Sequence, residues 1–244
     1  MPKLAIVAAL EREVLPLVRN WRVSDREHAG HHFRFYENAN GVAVCGGIGA
    51  AAARRATEAV IAAYAPELVY SAGFAGALDP GLKIGEIVVP KHVINFGDGS
   101  SLDTGRGEGV VVTFTSVASP EQKRKLHASF GACAVDMEAA AVALAAQARG
   151  VGFAAVKAIS DVADFSMPPM DAFISPDGSF RTGKFAWFVT MRPWLWTTAL
   201  RLARNSTRAS HALCNWLEQM IESESKAGPA PVKQTGSLET STRR

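Results

Sequence analysis

The segment Ala154-Ala155-Val156-Lys157-Ala158-Ile159-Ser160-Asp161 constrains this chain more than any other. It is an apolar run of strand length that stops abruptly on a serine and an aspartate. Buried parallel strands read as such runs, and in open α/β sheets ligands bind just beyond the strands' carboxyl ends. Asp161 therefore stands where a carboxylate meets a substrate. The alternative is that Ser160 or Asp161 merely caps a following helix, as these residue types do routinely. The segment alone leaves both readings open.

The same junction recurs along the chain. Leu4 to Leu10 reads as a strand and runs into Glu11-Arg12-Glu13, either the acidic first turn of a helix or a catalytic group. Phe33–Glu37 and Val42–Cys45 flank Asn38-Ala39-Asn40-Gly41, a hairpin signal. Gly46-Gly47-Ile48-Gly49 then opens an alanine-rich helix from Ala50 to Tyr64, a geometry that brings backbone N–H groups close to an anion or ribose. Gly47-x-Gly49-x-x-Ala52 matches a dinucleotide fingerprint in form, but the next strand, Glu67 to Ala72, ends without the acidic residue that reading requires.

Gly73-Phe74-Ala75-Gly76-Ala77-Leu78 reads as a second small-residue turn, followed by a strand from Ile84 to Val89. Residues 97–109 read as a mobile glycine-rich loop, Val110 to Phe114 as a strand, and Ser119-Pro120-Glu121 as a helix start. Val135-Asp136-Met137-Glu138 precedes a second alanine-rich helix, its two acids being either a cap or a site.

A chain of 244 residues suits one large α/β domain or two small ones, and 48% hydrophobic content with a formal charge of +3 predicts a globular protein with ample core and gives no argument for nucleic acid. Three scattered cysteines (Cys45, Cys133, Cys214) predict reduced thiols, and no apolar run reaches membrane-spanning length. Met1-Pro2-Lys3 runs straight into a strand-like segment, so no signal peptide and a cytoplasmic location are expected.

Taken in order over roughly residues 4 to 164, these junctions resemble the nucleoside phosphorylase superfamily, particularly its 5′-methylthioadenosine/S-adenosylhomocysteine nucleosidases. The resemblance implies a single α/β domain with a mixed, twisted central sheet flanked by helices, spanning residues 1–218, while the Ser-, Thr-, Lys- and Pro-rich end predicts a disordered tail over 219–244. It implies cleavage of the N-ribosidic bond of a 5′-substituted purine nucleoside, with no cofactor, no metal and a homodimeric assembly. By the same resemblance, Asp161 protonates or hydrogen-bonds the departing purine and Glu13 activates water. Glu138 grips the ribose hydroxyls and Met137 packs on the sugar, while Ser160, Phe74, Ala75 and Gly76 contact substrate and Gly47 and Gly49 form an anion- or water-binding loop. Bond cleavage through a cationic, ribose-centred transition state calls for such carboxylates.

Four positions depart from the nucleosidase pattern. Phe74 replaces a small hydroxyl residue, Lys157 an arginine and Val117 a stacking aromatic, and residues 97–109 have no counterpart. The first loop offers Arg12 but lacks the Gly-x-Pro-x-Arg pattern of many phosphorylases, which favours water over phosphate as nucleophile. The last third, with Met167-Pro168-Pro169 and Arg192-Pro193-Trp194, is more similar to hopanoid-associated phosphorylases, which implies a phosphate co-substrate and a large apolar 5′ group. A catalytically inactive nucleoside-binding module is the third reading.

Residues 180–216 combine Phe180, Phe185, Trp187, Phe188, Trp194, Trp196 and Trp216 with interleaved basic residues. Such aromatics either pack inward or lie on a membrane surface. Exposure of Trp194 and Trp196 separates the two.

Overall fold

A computed structural model describes residues 3–227. Strand β1 (Leu4–Ala8) leads to helix α1 (Glu11–Val18), then to β2 (Arg22–His28), β3 (His31–Glu37) and β4 (Gly41–Cys45). Helix α2 (Ala50–Tyr64) precedes β5 (Leu68–Ala77), β6 (Ile87–Val88), β7 (His92–Asn95), β8 (Ser101–Asp103) and β9 (Val110–Thr113). Helix α3 (Pro120–Phe130), β10 (Ala134–Asp136), α4 (Ala139–Gln147) and β11 (Gly152–Asp161) follow. Helices α5 (Thr182–Thr190) and α6 (Trp196–Ala227) close the described chain.

Side-chain alternation along β1 explains the layers. Leu4, Ile6 and Ala8 pack with Val14, Leu17 and Val18 of α1 and with Leu213 and Leu217 of α6. Ala5 and Val7 face the other way, onto Ala53, Ala56 and Val60 of α2 and Val142 of α4. A strand apolar at every position is thus buried on both faces, and the sheet is sandwiched between helices. The small residues of α2 and α4 let these helices approach each other and the sheet closely.

Strand β5 organises the sheet and creates its cleft. Along one edge it pairs in parallel with β11, from Gly152 opposite Leu68 to Asp161 opposite Gly76. Its other edge is divided. Leu68 to Ser71 pair in parallel with β1, whereas Gly76 and Ala77 pair antiparallel with β10. Residues 72–75 lie between the two partners, and the carboxyl ends of β1 and β10 both run toward that interval. The full order is β2-β3-β4-β1-β5-β10-β9-β7-β8, with β11 branching from β5 and β6 pairing with β11, so the sheet is mixed as expected.

Several elements differ from the sequence reading. Residues 73–77, read as a turn, are strand, because β11 and β10 supply partners that carry β5 through its glycines. The polar run of β2 forms an exposed edge strand that composition does not signal, paired throughout with β3. The strand expected over 84–89 is reduced to β6. The loop 97–109 contains β8, paired with β7 and tied down where the Thr104 hydroxyl donates to the Pro90 carbonyl at 2.7 Å. Helix α6 continues past residue 218 to Ala227, and the rest of the expected tail lies outside the described residues.

Candidate active site

The interval in the edge of β5 opens into a cavity of about 140 Å³. Glu13, Phe74, Ala75, Gly76, Met137, Glu138, Ser160 and Asp161, all expected from the sequence, line it. Gly47 and Gly49 do not, although Ile48 between them does. Their loop is also not a ready anion site. The N–H of Gly47 donates to the Ala9 carbonyl, that of Ile48 to the Gly178 carbonyl and that of Gly49 to Glu138 Oε1. Here the loop fastens the sheet to the 175–180 turn and orients a carboxylate.

Asp161 ends β11 and is buried. No helix follows it until the single 3-10 turn Asp171–Phe173, so the capping alternative does not apply. The register against β5 slips between Ile159 and Asp161, an irregularity of the kind that re-aims a side chain beside a site. Ser160 Oγ donates to Asp161 Oδ1 at 2.7 Å. A Cβ added at Gly76 would stand 2.9 Å from Asp161 Oδ2, so glycine there provides room for the carboxylate.

The second oxygen of Asp161 is held by a residue the sequence reading missed. Lys123 Nζ donates to Asp161 Oδ2 and, at 2.8 Å, to the Val162 carbonyl, with both members of the ion pair buried. Lys123 sits within the polar run Glu121 to Lys125 and resembles any solvated helix residue. Its phase was the available signal: it lies three residues before buried Leu126, on the inward stripe of α3.

A second buried pair lies on the Glu138 side of the cavity. Asp136 ends β10, accepts from Thr113 Oγ1 at 2.6 Å and from the Ala139 amide at 2.8 Å, and pairs with Lys157 Nζ at 2.7 Å. Lys157 also donates to Ser71 Oγ at 3.0 Å. Asp136 thus caps α4, and the next acid, Glu138, is released to face the cavity. Burial opposes the Lys157 ammonium, but Asp136 and then Glu138 outweigh it and hold the group above its usual range. The lysine that departs from the nucleosidase pattern is therefore a counter-ion within the sheet.

Glu13 and Glu138 are instead held by backbone amides. Glu13 Oε2 accepts from Ala9 and Leu10 at 3.0 and 3.1 Å, so this residue both caps the start of its own helix and walls the cavity. Glu138 accepts from Gly49 at 2.8 Å. Burial pushes Glu13 above the usual carboxylate range. Burial, followed by the negative charge of Asp136, raises Glu138 to about 7. The cavity therefore presents one ion-paired carboxylate at the β11 end. Two poorly solvated carboxylates face it from α1 and the start of α4, positions suited to favouring positive charge that develops between them. Among the described residues no cluster of three or more potential metal ligands occurs.

The profile of the phosphorylase superfamily matches residues 3–120 and 107–174. The 5′-methylthioadenosine/S-adenosylhomocysteine nucleosidase of Staphylococcus epidermidis is 29% identical, the match covering 66% of this chain and 87% of that protein. The nucleosidase of the same name from Helicobacter pylori, in complex with butyl-thio-DADMe-Immucillin-A, superposes with a TM-score of 0.67 at 19% identity, over 91% of this chain and 99% of that one. The apo 5′-methylthioadenosine nucleosidase of Arabidopsis thaliana gives 0.68 at 21% identity, over 91% and 96%. With its family profile matched along most of its length and its overall fold shared with these structures, the chain belongs to the phosphorylase superfamily.

Proposed function

We propose that this protein hydrolyses the N-ribosidic bond of a 5′-substituted purine nucleoside of the methylthioadenosine or adenosylhomocysteine kind. The observation that carries the reading is the convergence on one cavity of Asp161 from the end of β11, Glu138 from the start of α4 and Glu13 from the first turn of α1. The named activity of the relatives agrees with it.

In this mechanism Asp161 faces the purine and Lys123 stands behind it as the bound proton reserve. As the C1′–N bond breaks, its electron pair goes to the base, and a proton passes from Lys123 through Asp161 to the leaving group. Glu138, in its ionised form, accepts from the ribose hydroxyls, with Met137 packed on the sugar. Water attacks the anomeric carbon and gives its proton to Glu13, whose affinity for a proton is raised by burial. Phe74, Ala75 and Gly76 form the wall along β5.

Water is preferred over phosphate because few uncommitted donors converge on the cavity. Lys123 serves Asp161, and the Arg12 guanidinium lies 5.6 Å from the centre of the Phe180 ring. The amides of Gly47, Ile48 and Gly49 are also taken. Adenine release from methylthioadenosine, measured with and without phosphate, tests this directly. Strict dependence on phosphate would reverse the choice of nucleophile.

One observation favours a second reading, phosphorolysis of an adenosyl group on a large apolar body. A further cavity of about 400 Å³, walled by Leu15, Pro16 and Phe185, shares Arg12, Met170, Leu202 and Ser206 with the first. Turnover that rises with the length of an alkylthio 5′ group supports that reading. A purely binding module is separated from both by Asp161→Asn, which abolishes turnover only in an enzyme. Homodimeric assembly, to be measured by light scattering, and a cytoplasmic location, consistent with three free thiols, complete the proposal.

A further inference from the structure

Nine large apolar side chains are exposed among the described residues, and five of them fall between positions 187 and 200: Trp187, Met191, Trp194, Trp196 and Leu200. Trp194 is the most open at 71%, with Trp187 at 68% and Trp196 at 54%. Three largely exposed tryptophans within ten residues are not what a helix needs to dock on a sheet, since docking buries its aromatics.

These residues form one surface. Trp187 and Met191 are four apart at the end of α5, hence on one face. Trp196, Leu200 and Arg204 repeat the same spacing on α6. The Trp196 indole N–H donates to the Val189 carbonyl at 3.1 Å, which joins the two stripes, and the Pro193–Leu195 turn carries Trp194 between them. The Arg192 guanidinium stacks 3.8 Å from the centre of the Phe188 ring.

Charge completes the pattern. From Gly178 to Leu217 the chain contains Arg181, Lys184, Arg192, Arg201, Arg204 and Arg208 and not one aspartate or glutamate. A protein partner's surface carries both signs of charge, whereas an anionic bilayer presents one sign at its surface and an apolar layer beneath. Indoles favour that boundary because one edge is apolar and the other carries a donor.

We infer that α5, the Pro193–Leu195 turn and the first turns of α6 form a docking face for an anionic lipid bilayer. This goes beyond the nucleosidase reading and does not rest on it. The tryptophans enter the headgroup boundary while the basic residues supply long-range attraction. Phe185, Ala199 and Ala203 of the same two helices wall the larger cavity, so the docking face and that cavity share their supports.

The test is sedimentation of the full chain with vesicles of phosphatidylcholine, with and without phosphatidylglycerol, read together with tryptophan emission. Binding is expected on anionic vesicles only, with a blue-shifted emission. It should weaken severalfold as salt shortens the screening length from about 10 Å at 0.1 M to about 3 Å at 1 M. Trp187→Ser/Trp194→Ser, whose side chains line neither cavity, is expected to lose about tenfold or more of its partitioning while keeping its melting temperature. Lys184→Glu/Arg204→Glu is expected to lose the preference for anionic lipid. Three results overturn the inference: no vesicle binding by the parent chain, binding that survives both double variants, or a fall in molar mass for the tryptophan variant. The last result would assign the face to a second copy of the chain.

Discussion

The ammonium of Lys123 and the carboxylate of Asp161 form a buried ion pair inside the cavity, although the two residues belong to different elements of the fold. Lys123→Met leaves the aspartate without its partner, a change that typically destabilises by about 3–5 kcal/mol. Turnover of methylthioadenosine should fall on the order of 10²-fold. With 4-nitrophenyl riboside, whose leaving group departs without a proton, the folded variant should stay close to the parent rate. Equal losses on both substrates would reduce Lys123 to a structural role.

Asp161→Asn keeps the size and the contact with Ser160 but removes the acid. The rate with a purine nucleoside should drop by about 10²–10⁴-fold while adenine still binds. Single-turnover kinetics and product titration measure the two quantities separately. A variant within tenfold of the parent would remove Asp161 from the chemistry.

Glu138 gives opposed pH trends for stability and activity. Its pKa is raised from 4.5 to about 7 in the folded chain, so between these values the native state holds more protons than the unfolded chain. Stability contributed by this group is therefore present at low pH and is lost as pH rises toward 7, by an upper bound of roughly 3 kcal/mol. Substrate binding through the ionised form runs the other way and should improve over the same range. Denaturant melts and kcat/KM measured across pH 5 to pH 8, roughly the span this linkage governs, test the pairing. Glu138→Gln should flatten the contribution to stability and leave little activity.

Gly178 adopts φ +89°, and a Cβ there would meet Ala52 Cβ at 2.6 Å and the Ile48 carbonyl oxygen at 2.8 Å. Gly178→Ala should therefore displace the 175–180 turn and break its hydrogen bond from the Ile48 amide. A destabilisation of about 1–3 kcal/mol is expected. Because Gly49 in the same loop orients Glu138, KM should rise more than kcat falls. Thermal melts with steady-state kinetics decide it, and an unchanged KM would uncouple the turn from the site.

The acids at strand ends were legible because their position is set by local pattern: an apolar run, then a carboxylate, then a turn or helix. Asp161, Glu138 and Glu13 all follow it. Lys123 was not legible, because its neighbours Gln122, Arg124 and Lys125 give its helix a polar character that hides one inward residue. The glycines of 73–77 misled for a related reason. They signal turns when read alone, but here Gly73 lies beside Glu13 and Gly76 beside Asp161 and Lys123, and their missing side chains make room for charged groups along a continuous strand. Strand β2 was invisible because its sequence, Arg-Val-Ser-Asp-Arg-Glu-His, is polar on both faces and is recruited by β3 rather than by burial.

The division of one edge of β5 between β1 and β10 also bears on how activity is acquired during folding. Its remaining edge is filled by β11, whose pairing sets Gly152 opposite Leu68, across all the elements from β6 to α4. Closing that pairing is a long-range event and slow relative to local helix formation. Asp161 arrives only with β11, so the helices α1 and α2 can form, and β1 can join β4, while no catalytic centre exists. Regain of activity after dilution from denaturant will therefore trail regain of helical signal, and a nascent chain that ends before β11 will hold the other ten strands of the sheet but lack Asp161.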